Sequence, residues 1–227
     1  MRVYESIPSY GEAIMQPNSK KVLQAIAQAG GISSFSDIRN ASGIKDPTLV
    51  HHLNRLQDLN VIEKEVKGTY KLKYKTPLCY IFQERPLIPM AYLGLLGRRD
   101  KRPEPETKVA LELLSKEGIK PQLIYVVTSM EALNEWKDLK LPYQWILCYE
   151  DEIIDIDAVK RKIKPQLESL LKDYIVFIDC TSATKPATIA YYELAQQYYT
   201  PLLYVYEEKR VLKWLISKET IKARLKI

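Results

Sequence analysis

Tyr174–Tyr206, YIVFIDCTSATKPATIAYYELAQQYYTPLLYVY, sets the fold class of this chain. It opens on an apolar run, Tyr174–Asp179, passes through a turn rich in Ser and Thr, and continues into a helical stretch over Lys185–Gln197. A second apolar run, Leu202–Tyr206, closes it. Near-continuous apolar strands separated by helices predict a mainly parallel sheet covered on both faces.

The same alternation extends upstream. Strands are predicted over Leu87–Leu96, Leu123–Thr128 and Tyr143–Tyr149, with helices over Glu106–Lys116 and Glu131–Leu139 between them. Asp157–Asp173 is helical, with Val159, Ile163, Leu167, Leu170 and Leu171 on one face, and Pro165 predicts a kink or a split there. In the last stretch, residues 208–227, VLKWLI reads either as a strand or as one turn of an amphipathic helix.

In a parallel α/β sheet, ligands sit beyond the carboxyl ends of the strands, where helix amino termini point. That rule selects Gly97–Thr107, Thr128–Ser129 and Asp179–Lys185. Gly97, Arg98, Arg99, Ser129, Thr181, Ser182, Thr184 and Lys185 are the candidate ligand-binding residues, chemically suited to phosphates or ribose hydroxyls. Thr181–Lys185 also fits a plain capped helix start, and Arg98–Arg102 a solvated loop. Tyr191, Tyr192, Tyr198 and Tyr199 read as core and dimer packing.

The chain divides near residue 82, into a domain over 1–82 and another over 83–227. The first part holds 11 Lys/Arg against 7 Asp/Glu, the second 23 against 21, so the smaller part is the more basic per residue. TPLCYIFQERPLIP connects them, with Pro77, Pro86 and Pro89 interrupting helix and a short strand at Leu78–Phe82.

Three helices and a hairpin fill the first part. Pro17–Ala29 is capped by Asn18 or Ser19 and stopped by Gly30-Gly31. Ser36 caps Ser36–Ala41, and Gly43 makes the turn that follows. Asp46-Pro47 opens a third helix, in which Asp46 caps and Leu49, Val50, Leu53 and Leu56 repeat at helical spacing; Asn60 ends it. Val61–Val66 and Thr69–Tyr74 pair as strands about Lys67-Gly68. Lys45, Thr48, His51, His52 and Arg55 lie on or near the open face of the third helix, and the hairpin adds Lys64, Lys67, Lys71, Lys73 and Lys75 against Glu65. A helix with polar residues at its start fits a DNA major groove, and a lysine strip beside it suits phosphates. Such modules also serve as protein-interaction domains, and strands use lysine to resist aggregation.

Two resemblances follow. SDIRNASGIKDPTLVHHLNRLQDLNVIEK resembles the winged helix–turn–helix of MarR/ArsR-like regulators, with Ile38, Ala41, Gly43, Ile44, Leu49, Leu53, Leu56 and Ile62 at the core and turn positions. YLGLLGRRDKRPEPETKVALELL, IYVVTS and FIDCTSATKPATIAYYELA resemble the CRISPR-associated Rossmann fold (CARF) family over roughly residues 87–207. Here Ser182-Ala183 stands where that family carries Gly-Gly, and the winged helix precedes the sensor rather than following it. The resemblance implies a homodimer that binds a cyclic oligoadenylate across its twofold axis, through Arg98, Arg99, Ser129, Thr181, Ser182, Thr184 and Lys185.

The expected function is a ligand-responsive, CRISPR-associated transcriptional regulator that binds double-stranded DNA. The alternative is a metal-independent ring nuclease cleaving cyclic oligoadenylate, with Ser129 and Lys185 stabilising charge. A third reading takes Asp179 with Glu207, Glu208 and Lys209 as a metal-dependent nuclease triad. Cys79, Cys148 and Cys180 lie far apart, and the only histidines are the adjacent His51 and His52, so no metal, cofactor or catalytic residue is expected. No apolar stretch approaches membrane-spanning length and no signal pattern opens the chain, which predicts a cytoplasmic protein without a membrane partner. The Lys, Ile and Tyr richness suits an archaeal cytoplasm.

Overall fold

The computed structural model describes residues 7–84 and 87–227, so the Pro86 interruption lies outside the described residues. The chain forms two compact units, one of residues 1–88, 171–173 and 218–227, the other of residues 89–170 and 174–217.

In the first unit, α1 (Tyr10–Met15), α2 (Pro17–Gln28), β1 (Ile32–Ser34), α3 (Phe35–Ser42) and α4 (Asp46–Asp58) precede β2 (Ile62–Lys64), β3 (Thr69–Leu72) and α5 (Leu78–Phe82). The strands make an antiparallel sheet in the order β1-β3-β2, and a 3-10 turn over Val66–Gly68 joins β2 to β3. Val22, Leu23, Ile26, Ile38, Leu49, Leu53 and Leu56 are fully buried between the helices. Gly43 adopts φ +67° and Asn60 φ +59°, the left-handed conformation expected at both helix ends.

The capping residues differ from those expected. Ser19 is buried in the first turn of α2, and Gln16 precedes that helix without a side-chain cap. Ser34, not Ser36, accepts the Asp37 amide at 3.2 Å. Asp46 is already the first residue of α4, behind Lys45. The expected strand at Leu78–Phe82 is helix α5, in which Leu78, Cys79 and Ile81 bury one side. That repeat of buried positions follows the helical period rather than alternation.

In the second unit, β4 (Met90–Leu96), α6 (Glu106–Lys116), β5 (Leu123–Ser129), α7 (Met130–Glu135), β6 (Gln144–Cys148), α8 (Glu150–Ile153) and α9 (Ile156–Asp173) lead to the second half of the sheet. β7 (Ile175–Asp179), α10 (Lys185–Gln197), β8 (Leu202–Tyr206) and β9 (Val211–Ile216) complete it. The sheet order is β6-β5-β4-β7-β8-β9, parallel except for β9. This is a Rossmann-like, doubly wound arrangement in which the direction of strand addition reverses between β4 and β7. Every residue of β7 is buried, as a central strand covered on both faces must be.

Pro165 does not split α9. The helix runs unbroken through it, with Val159, Ile163, Leu167, Leu170 and Leu171 buried along one side. Burial of that stripe outweighs the one hydrogen bond the proline removes. VLKWLI is β9, not a helical turn, and α11 (Lys218–Leu225) follows it. Residues 218–227 group with the first unit, where α11 packs on α1 and α5 and buries Ile221 and Leu225. Among the described residues, no helix is long and apolar enough to cross a membrane.

Candidate ligand cleft and basic helix face

The direction reversal between β4 and β7 leaves a crevice at the carboxyl ends of these strands. A cleft of about 690 Å³ lies there, within the range of small-molecule sites. Gly97, Arg98, Ser129, Thr181, Ser182 and Thr184 all line it, so six of the eight candidate ligand residues come together. Arg99 and Lys185 are not among its lining residues. Arg99 bonds Asp138 at 2.8 and 2.9 Å and lies over the Trp136 ring at 5.0 Å, which fixes it as a loop anchor. Lys185, the first residue of α10, is exposed.

Gly97 serves packing as much as access. A Cβ there would meet the Ser182 carbonyl oxygen at 3.1 Å, so the β4 and β7 ends approach closely only because position 97 lacks a side chain. Its own carbonyl accepts from Trp136 Nε1 at 3.0 Å.

The hydroxyls are engaged within the protein. Ser129 Oγ accepts the Ala132 amide at 3.1 Å and caps α7. Thr184 Oγ1 accepts the Ala187 amide at 3.3 Å, capping α10, and donates to Ile153 O at 2.7 Å. Thr181 Oγ1 donates to Asp179 and accepts the Val205 amide at 2.8 Å. Ser182 Oγ donates to Glu106. The capped-start reading of this turn therefore holds for Thr184. The backbone is different: among the described residues, the Ser182 and Ala183 amides donate to no protein acceptor although both residues line the cleft. Together with the amino end of α10 they leave backbone donors available to an anion.

Two residues hold this turn: Asp179, which the sequence offered only as a member of a nuclease triad and of the rim segment, and Tyr92, which sequence reasoning missed. Asp179 is 1% exposed, accepts the Thr181 amide at 2.8 Å and accepts from the Tyr92 phenol. Burial pushes its carboxyl up to about 6, against the pull of the Thr181 and Tyr92 hydrogen bonds. Tyr92 folds over Gly94, whose missing Cβ leaves room for the ring, and burial beside Asp179 drives the phenol pKa well up. The near-continuous burial of β4 was legible; the partner of one buried tyrosine was not. Charged groups ring the cleft: Arg98 pairs with Glu150, Arg102 with Glu106, and Asp100 and Asp151 add two more carboxylates.

In the first unit, Lys45 is exposed just before α4, Thr48 and His51 are exposed on that helix, and Lys64 is exposed on β2. His52 is buried instead, with Nδ1 3.0 Å from Ser19 Oγ, because position 52 falls on the face that carries Leu49, Leu53 and Leu56. Arg55 pairs with Glu12 at 3.0 Å. Lys71 pairs with Glu63 at 3.3 Å and with Glu65. Lys73 is buried and donates to Asn60 Oδ1 at 3.1 Å, and Lys75 donates to Gly30 O at 3.2 Å. The Lys67 side chain is outside what the structure describes. Three of the strip's five lysines are thus engaged within the protein, Lys71 by hairpin carboxylates and Lys73 and Lys75 by Asn60 and Gly30.

No family model matches the chain, and no curated protein matches it. Among solved structures, one similar chain is Can2 from Sulfobacillus thermosulfidooxidans in complex with cyclic tetra-adenylate. The match has 12% identity and a TM-score of 0.41, covering 56% of this chain and 35% of that one. Protein VC1899 from Vibrio cholerae is similar at 15% identity and a TM-score of 0.42, over 57% of this chain and 34% of that one. The chain spans about a third of the length of these structures.

Proposed function

We propose that the chain is a ligand-responsive DNA-binding regulator, in which the α/β unit takes a cyclic oligoadenylate and the first unit is a winged helix–turn–helix. One observation carries the ligand half. The cleft at the sheet's direction reversal combines the open Ser182 and Ala183 amides with the guanidinium groups of Arg98 and Arg102. Amides at a helix start and planar guanidiniums are the groups that recognise phosphodiesters. The oligoadenylate itself comes from the resemblance of residues 87–207 to the CARF family.

A second copy of the chain completes the site in this reading. Tyr149, Ile154 and Ile189 are exposed at 75%, 65% and 45%, and Met130, Leu147 and Tyr192 add to them on β6, α7, α8 and α10. Exposed apolar groups gathered beside a binding cleft favour a self-association face. In the DNA half, Lys45 just before α4 and Thr48 and His51 on it are exposed and suit a major groove, while Leu49, Leu53 and Leu56 hold the helix from behind. Ligand changes DNA affinity only insofar as it binds two arrangements of the dimer unequally.

The test is a calorimetric titration of the full chain with cyclic tetra-adenylate, followed by gel shifts on fragments of the host genome with and without it. Saturable binding of one ring per two chains, and a ligand-dependent shift, are expected. No heat and no shift at low salt would reject the reading.

A further inference from the structure

The wall of the cleft is over-supplied with acid. The Arg102 guanidinium faces three carboxylates: Glu106 in direct contact, Asp100 at 3.5 Å and Glu207 at 3.7 Å. The Arg102 and Glu106 side chains are only 24% and 14% exposed, so this is no loose surface pair. Glu106 is also the acceptor for the Ser182 hydroxyl and stands in the first turn of α6. One carboxylate thereby occupies the guanidinium and a hydroxyl that border the open Ser182 and Ala183 amides.

We propose that Glu106 is a resident competitor for the ligand's phosphate and the residue that sets the cleft's selectivity for anions. This rests on the reading that the cleft takes a cyclic oligoadenylate. In the free protein, Glu106 holds Arg102 and Ser182 in place by mimicking a phosphate oxygen. A bound phosphodiester takes over both groups and leaves Glu106 to turn toward solvent. A carboxylate and a phosphate crowded onto one guanidinium repel each other, so a ligand displaces Glu106 only if it offers more charge-assisted hydrogen bonds than the glutamate does. Singly charged anions fail that comparison, and a ring of phosphodiesters meets it.

Calorimetry with cyclic tetra-adenylate on the full chain tests this, using wild type, Glu106→Gln, Arg102→Gln and Asp151→Asn. Asp151 lines the same cleft, and among the described residues no guanidinium pairs with it. Glu106→Gln should bind about tenfold more tightly or better, and Arg102→Gln about tenfold more weakly, for the loss of one charge-assisted contact. Asp151→Asn should change affinity by less than about threefold, as an unpaired exposed charge does. Melting curves on each variant establish that it is folded. If folded Glu106→Gln binds like wild type or more weakly, the competitor role is overturned while the ligand reading stands. An equal gain in Asp151→Asn overturns it too, since bulk charge then accounts for the effect. If no chain binds the nucleotide, the ligand reading fails and this inference fails with it.

Discussion

The Tyr92 phenol on β4 donates to the Asp179 carboxylate at the end of β7, and the two side chains are 0% and 1% exposed. This pair sits directly under the turn that lines the cleft, so its protonation state bears on the second unit's stability. With its carboxyl raised from 3.8 to about 6, Asp179 stabilises the fold fully below its unfolded value and loses that contribution as pH rises through about 6.

Asp179→Asn should therefore remove a pH dependence. The stability of wild type relative to this variant should fall by roughly 2–3 kcal/mol between pH 4 and 7.5, the scale of a two-unit shift. Urea unfolding followed by tryptophan fluorescence reads this unit selectively, since Trp136, Trp145 and Trp214 all belong to it. Parallel pH curves for the two proteins would contradict the expectation.

Ser19 and His52 pin α2 to α4 in the first unit. Burial first, then the nearby charges of His51 and Arg55, hold the His52 pKa below 6.5. A depressed imidazole favours the folded state above its unfolded pKa, and that contribution drains away as pH falls from 6.5 toward the folded value. Amide protection factors in α2 and α4, taken relative to the intrinsic exchange rate at each pH, should be lower at about pH 5.5 than at pH 7.5. Ser19→Ala, which strips a buried ring nitrogen of its partner, should cost about 1–2 kcal/mol at neutral pH.

Substitutions on α4 should separate DNA readers from packing residues. Lys45→Ala should weaken binding to all sequences alike and lower the salt slope by about 1, while His51→Ala should cost about 1–3 kcal/mol at particular base pairs only. Lys73→Met should leave affinity unchanged, because that lysine is buried against Asn60. Fluorescence anisotropy across a salt series distinguishes these patterns, and an affinity loss in Lys73→Met equal to that of Lys45→Ala would refute the assignment.

Gly97→Ala should lower the second unit's stability by about 1–3 kcal/mol, the usual range for an over-packed contact, because the new methyl meets Ser182 O. Nucleotide binding should drop with it, since the same shift displaces the Ser182 and Ala183 amides. An alanine variant of wild-type stability would show that the two strand ends can part freely.

Paired substitutions Ile154→Asp and Ile189→Asp should yield monomers at concentrations where the wild type sediments as a dimer. A wild-type monomer at all concentrations would dismiss the self-association face.

The strands were legible because parallel, doubly covered strands are apolar throughout, and Leu202–Tyr206 and Lys185–Gln197 fall where periodicity puts them. The reversal between β4 and β7 needs the strand order, which no local pattern encodes. The cleft's hydroxyls could be listed from sequence but not their internal partners: Ser182 with Glu106 spans 76 residues and Arg98 with Glu150 spans 52. His52 and Lys73 were misplaced for a similar reason. A histidine beside exposed His51 and a lysine in a basic strand look solvated until Ser19 and Asn60 appear opposite them.

Helix α11 has a practical bearing on anyone dissecting the molecule. Ile221 and Leu225 are synthesised after the entire sheet yet are buried in the unit that begins the chain. A gene fragment stopped at residue 88 would express that unit with a hole where two aliphatic groups belong. Grafting residues 218–227 onto such a fragment through a flexible tether is the remedy the packing itself suggests.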